Sequence, residues 1–200
     1  MRTGNSAALA LGGIGQGIQN FVQRLLTRAL GLALLAFGAF AIAALATWNV
    51  ADPSFSHATG NTLTNAMGYP GAVVADLAMQ FLGLASVAAL VPVFAWSLFL
   101  LAGRPPDRLS RRGAAWAGAA LLSAAVAGCI VAPPTWPLPS GLGGVFGDMV
   151  LKLPALLSGG YPRGLLAAVL MLLFGLPALW LMMFATGLIG RRALPADDFA

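Results

Sequence analysis

The stretch ALGLALLAFGAFAIAALATW, residues 29–48, runs for twenty residues without a charge. A helix rises about 1.5 Å per residue, so a run of this length matches the roughly 30 Å apolar core of a bilayer. The run stops at Trp48-Asn49 and passes into the polar stretch TWNVADPSFSHATG, residues 47–60. Trp48 is placed to act as an interfacial belt residue, its amphipathic ring at headgroup level. Asn49 and the pair Asp52-Pro53 end the helix, because a residue before proline avoids the helical region and Asp-Pro-Ser starts turns.

Three more apolar segments of spanning length follow, at about 77–102, at 113–132 and at about 164–190. The second and fourth are long enough to tilt, and each contains a proline, Pro92 and Pro177. Proline removes a backbone donor, but neighbouring helices in a bundle tolerate it. The whole composition agrees with this pattern. Hydrophobic residues make up 59% of the 200-residue chain and charged residues 8%, and the mean hydropathy is +0.86. Soluble domains carry about 25% charged residues, so this chain has too few charges for a water-facing surface. The fold class is all-α: a polytopic membrane protein with a four-transmembrane-helix bundle, whose first partner is the lipid bilayer. The lone cysteine, Cys129, excludes an internal disulfide framework and a cysteine metal cluster, and is expected to be a small buried hydrophobe.

The net charge of +5 would point to nucleic acid in a soluble protein, but here it follows the membrane's charge asymmetry. Arg2, Arg24 and Arg28 precede the first span, Arg104, Arg108, Arg111 and Arg112 separate the second from the third, and Arg191 and Arg192 follow the fourth. That places nine arginines on one side, against Lys152 and Arg163 on the other. The positive-inside rule then predicts both termini in the cytoplasm and the 51–71 and 133–163 loops outside. The first span is too long for a cleaved signal sequence, and three more spans follow it.

Two other segments are amphipathic. Within 14–28, IGQGIQNFVQRLLTR, the residues Ile14, Ile18, Phe21, Val22 and Leu25 share one stripe. This predicts a helix on the cytoplasmic membrane surface, held by anionic lipid. Residues 1–28 are thus expected to form a cytoplasmic amphipathic segment, 29–190 the anchor domain, and 191–200 a cytoplasmic tail where a linker begins. Within 145–157, VFGDMVLKLPALL, the residues Val145, Phe146, Met149, Val150, Leu153 and Leu157 share a stripe, with Asp148 and Lys152 as an i,i+4 pair on the other face. A short helix on the outer interface fits, too short and too charged to span.

Candidate site residues are few. GLGGVFG at 141–147 lacks the Lys-Ser/Thr pair of a phosphate loop, so flexibility explains it better. His57 has no second histidine or nearby cysteine to form a metal site and is expected on an exposed loop. Asp76 opens the second span with Gln80 one turn deeper. An acid within a membrane is a functional candidate by default, yet at the outer edge water reaches it and anchoring suffices. In the third span Ala115, Ala119, Ser123 and Ala127 recur every four residues, beside a second row of Ala120, Ala124 and Gly128. Such small residues let helix backbones approach closely in lipid, although alanine-rich composition also produces such rows. There is no nucleophile–base set, carboxylate pair, Walker motif or metal-ligand cluster, so no catalytic, cofactor or metal site is expected. A transporter or channel subunit is the alternative, but only Ser86, Ser97, Ser123 and Thr186 could line a path.

The segments RALGLALLAFGAFAIAALATWNVADPSFSHATG (28–60) and NAMGYPGAVVADLAMQFLGLASVAALVPVFAW (65–96) carry a resemblance. An Asp-Pro-Ser loop, then Asn with Gly-Tyr-Pro-Gly, then a span opening on an aspartate is similar to the N-terminal membrane domain of the FtsK/SpoIIIE family of bacterial DNA translocases, in its alphaproteobacterial form. The likeness covers residues 28–190. It implies a four-transmembrane anchor in the bacterial inner membrane, at the division septum, that helps assemble the divisome and serves chromosome segregation. It further implies divisome membrane proteins and copies of itself as partners. DNA would be engaged only through an ATP-driven motor that has no counterpart in these 200 residues.

Overall fold

In the computed structural model, residues 3–190 are described, with side chains from Gln16 onward. Arg2, the Ile14 side chain and the 191–200 tail, with Arg191 and Arg192, lie outside the described residues. Among those described the chain is helical throughout: α1 (Thr3–Ala46), α2 (Gly68–Leu82), α3 (Ala85–Leu101), α4 (Leu109–Gly128), a 3-10 turn (Gly141–Gly143), α5 (Gly144–Ser158) and α6 (Gly164–Thr186).

The first helix is continuous for 44 residues, about 66 Å. The boundary expected at residue 28 is not a break, and the amphipathic segment is the extension of the span. No glycine or proline lies between Ile18 and Leu30 to interrupt the helix, and the Thr27 hydroxyl donates to the Gln23 carbonyl at 2.8 Å within it. Ile18, Phe21, Val22 and Leu25 are exposed. Further along, Gly31 and Gly38 meet α3. A Cβ at Gly31 would lie 2.8 Å from the Leu101 nitrogen, and one at Gly38 2.9 Å from the Phe94 ring. Two glycines seven residues apart therefore seat α1 directly on α3, a close approach of the kind that holds helices together in lipid.

The second span is not the single helix expected over 77–102. The apolar run is broken into α2 and α3, which meet at a 113° bend. The break has a local cause. Gly83 adopts φ +58°, which only glycine takes at little cost, and a Cβ there would overlap the Leu142 carbonyl. That carbonyl accepts the Leu84 N–H at 2.9 Å. Gly144, at φ +62°, sits 2.7 Å (Cβ position) from the Gly83 nitrogen. The GLGG segment, expected to be a flexible loop, is thus a packed joint between α2 and α5. Continuing it, Gly143 and Gly147 close against the Ala124 carbonyl in α4.

The remaining helices also end earlier than expected. α4 stops at Gly128 rather than 132, and α6 at Thr186 rather than 190. By length and apolarity alone, Gln16–Ala46, Gly141–Ser158, Gly164–Thr186 and the bent α2–α3 pair all qualify as spans. α5 nevertheless runs across the end of the bundle. Its Gly144 meets the end of α2 and its Gly147 the Ala124 turn near the end of α4, and its buried Leu151 packs on Cys129, Ala167 and Leu170, near the end of α4 and the start of α6. Although α4 has a short apolar stretch, residues 113–128 or about 24 Å, it packs against α3, α5 and α6. Four helices, α1, α3, α4 and α6, form the bundle. α2 and α5 both lie in the connections at one end, and the arginine-bearing 102–108 turn lies at the other.

Candidate functional site: two polar clamps at opposite ends of the bundle

At the α2/α5 end, the stretch that follows the first span folds back onto it. Asp52 is buried and accepts the Thr64 N–H at 2.9 Å, the Thr64 hydroxyl at 2.8 Å and the Asn65 N–H at 2.9 Å. Asn65, also buried, donates its amide to the Ala44 carbonyl at 2.9 Å and the Thr47 carbonyl at 3.3 Å. These are carbonyls of the last turn of α1, which a helix end leaves without partners. The Asn65 side-chain oxygen accepts the Met67 N–H at 3.0 Å, just before α2 begins. One residue pair thus closes α1 and opens α2. Gly71 must be glycine here, because a Cβ would overlap the Asn65 side-chain oxygen.

A second knot lies beside it. Asp76 is not a water-exposed residue at the start of a span. It sits in the middle of α2, buried, because the 51–58 loop closes over it. It accepts the Ser54 hydroxyl at 2.6 Å, the Ser56 hydroxyl, and the Gln80 amide at 3.0 Å. A buried carboxylate with no cation is costly unless donors surround it, and the two serines and Gln80 supply them. His57 is exposed, and its backbone carbonyl accepts the Ser54 N–H at 3.0 Å. Pro53 is half-buried in the same turn. Trp48 packs on Trp136, with ring centroids 6.0 Å apart; its indole N–H is buried and has no hydrogen-bond partner among the described residues.

At the other end, Arg112 is 1% exposed. Its Nε donates to the Asp107 carbonyl at 2.8 Å, its Nη2 pairs with the Asp107 carboxylate at 2.5 Å, and its Nη1 donates to the Phe184 carbonyl. The guanidinium carbon lies 5.2 Å from the centre of the Phe184 ring. The Trp96 indole donates to the Ala185 carbonyl at 2.8 Å. A cation on the last carbonyls of α6 complements the negative end of that helix. The clamp joins α3, α4 and α6 where α6 ends. In the middle of the bundle, Ala115, Ala119 and Ala127 of the first alanine row are buried and Ser123 is half-buried, while Ala120, Ala124 and Gly128 of the second row are buried.

Sequence reasoning singled out Asp52 and Asp76 but missed Asn65, Ser54 and Ser56, which hold them. It counted Arg112 only as a topology charge. Helical spacing carries the missing signal: Arg112, Ala115 and Ala119 lie at i, i+3 and i+7, so Arg112 continues the buried face, whereas Arg111 is exposed.

Known proteins match this chain in sequence. The family described as the 4TM region of DNA translocase FtsK/SpoIIIE matches residues 23–161. A DNA translocase FtsK of Mesorhizobium japonicum is 62% identical over 192 residues, 96% of this chain and 22% of the relative. The namesake in Brucella suis biovar 1 is 58% identical over 87% of this chain and 20% of its own length. That in Caulobacter vibrioides is 39% identical over 75% of this chain and 19% of its own length. The chain therefore spans about a fifth of the length of the curated relatives it matches. No solved structure matches it. With its four-helix bundle and this match through the 4TM region, the chain belongs to the FtsK/SpoIIIE family of DNA translocases.

Proposed function

We propose that this chain is the membrane anchor and divisome scaffold of a cell-division DNA translocase. It sits in the bacterial inner membrane at the septum, with both termini and the Arg104–Arg112 side in the cytoplasm. The observation that carries this reading is the match to the 4TM region, in relatives named DNA translocase FtsK. Translocation is assigned to the four fifths of those relatives that this chain does not match. The chain's only lysine is Lys152, and no Gly-Lys-Ser/Thr motif occurs to cradle a nucleotide phosphate. The partners are divisome membrane proteins and further copies of the chain.

The transporter alternative is weakened by where the span hydroxyls point. Ser86 donates to the Gly83 carbonyl at 2.7 Å, Ser97 to the Phe94 carbonyl at 2.7 Å and Thr186 to the Met182 carbonyl at 2.9 Å. Each is satisfied within its own chain turn, as is common in lipid, which leaves Ser123 alone of the four, too little to line a path. A fluorescent fusion of the chain, expressed at native level and intact on a gel, should concentrate at mid-cell in dividing bacteria. The purified chain should show no DNA-stimulated ATP hydrolysis. An even distribution of the fusion around the envelope would overturn the septal reading.

A further inference from the structure

A cavity of about 490 Å³ opens at the α2/α5 end of the bundle, between the last turn of α4, the following loop, α5 and the start of α6. Two opposite charges line it, Asp148 and Arg163. They do not pair with each other, and the i,i+4 pair expected between Asp148 and Lys152 is not made: among the described residues the ion pair present is Arg112–Asp107. Asp148 instead accepts the Tyr161 hydroxyl at 3.0 Å. One oxygen of the carboxylate is thereby oriented and the other remains to accept donors. The Tyr161 phenol is pushed well above its ordinary value, by burial first and then by its hydrogen bond to Asp148, so it stays a donor. The side chain of Arg163 makes no hydrogen bond or ion pair with any described residue. The rim is apolar, with Val131 78% exposed beside Ile130.

We infer that this cavity binds the headgroup of a zwitterionic phospholipid, with a primary ammonium on Asp148 and the phosphate on Arg163. A carboxylate and a guanidinium that face one cavity without pairing fit a dipolar ligand better than an anion or a cation alone. Position supports a lipid over a soluble zwitterion. The cavity lies where span α4 ends and span α6 begins, and its rim carries the exposed Ile130 and Val131, which acyl chains would cover. Ethanolamine is preferred over choline for a chemical reason. A primary ammonium has three N–H donors for the free carboxylate oxygen, whereas a quaternary ammonium has none and is held instead by a cage of aromatic faces. Here Tyr161 is the one aromatic side chain lining the cavity, and its hydroxyl is engaged with Asp148.

The test uses the intact chain in mild detergent, titrated with phosphatidylethanolamine, phosphatidylcholine and phosphatidylglycerol of matched chains. Bound lipid is counted by native mass spectrometry. The ethanolamine lipid should bind about tenfold more tightly than the other two, in keeping with the strength of charge-assisted hydrogen bonds. Asp148→Asn should remove that preference, while Arg163→Gln should weaken binding of all three lipids about tenfold, since each carries the phosphate. Arg163 is exposed, so its replacement leaves the fold intact and keeps the test valid should Asp148→Asn lose stability. Arg104→Gln, at the opposite end of the bundle, should bind as the parent does. Equal binding of all three lipids by the parent chain, a preference for the glycerol lipid, or undiminished lipid binding in Arg163→Gln would each overturn the inference.

Discussion

Replacing Arg112 by glutamine tests whether α6 is held to the bundle by its C-terminal clamp. The change removes the charged donors to the Asp107 carbonyl and carboxylate, the donor to the Phe184 carbonyl, and the cation over the Phe184 ring. Removing one partner of a buried ion pair costs about 3–5 kcal/mol. The Asp107 side chain is 33% exposed and regains water when Arg112 is lost, so the cost falls at the low end, about 3 kcal/mol, or more than a hundredfold in the folded-to-unfolded ratio. Arg112→Lys should lose less, because an ammonium keeps the charge but cannot fork towards Asp107 and Phe184 together. Reversible unfolding in bicelles by steric trapping gives the free energies directly. Combining Arg112→Gln with Asp107→Asn should recover part of the loss, with a coupling of about 1–2 kcal/mol. A single-variant loss below about 0.5 kcal/mol, the ordinary scale of surface substitutions, would show that the clamp is ornamental and that packing alone seats α6.

Three further perturbations address other joints. Ala119→Leu, at a fully buried site on α4, should cost about 1–3 kcal/mol by overpacking in the same assay, while Ala168→Leu, exposed on α6, should be nearly silent; equal small effects would reduce the alanine rows to composition. Gly83→Ala forces a Cβ onto the Leu142 carbonyl at positive φ and should destabilise by at least about 1 kcal/mol, with a shortened distance change between α2 and α5 spin labels ruled out and a lengthened one expected. Tyr161 titrates above the ordinary phenol value of about 10. Because its folded-state value is raised, its contribution is complete below that pH and is lost as pH rises through the folded value; in Asp148→Asn the ultraviolet titration midpoint of Tyr161 should fall, and an unchanged midpoint would refute the hydrogen bond's part in the shift.

Much of the fold was legible because lipid imposes strict rules on a sequence. Charge-free runs of about twenty residues marked the spans, and the arginine distribution ordered the loops. What escaped was tertiary. Gly83 lies in an unbroken apolar run, FLGLAS, and nothing local distinguishes it from a glycine inside a helix; the break exists because the Leu142 carbonyl and Gly144, sixty residues away in sequence, need that space. The continuity of α1 through residue 28 is hidden by composition, which changes there from amphipathic to apolar, whereas helix propensity does not alter. Of the polar clamps, Asp52 and Asp76 stand out in the sequence as rare charges, but Asn65, Ser54 and Ser56 are ordinary loop residues until the backbone returns to α1 and α2. Arg112 was hidden by its neighbour Arg111, since one of the pair faces water and the other the bundle.

The central claim is a four-span anchor in which α5 crosses the end of the bundle without spanning, even though its length and apolarity would allow it to span. Dual topology reporters inserted at Asn61, Asp107, Ser140 and Gly160 test this most directly. The account predicts that Asn61, Ser140 and Gly160 report the periplasm and Asp107 the cytoplasm. A cytoplasmic signal at Gly160 with a periplasmic one at Ser140 would make α5 a fifth crossing and contradict the account.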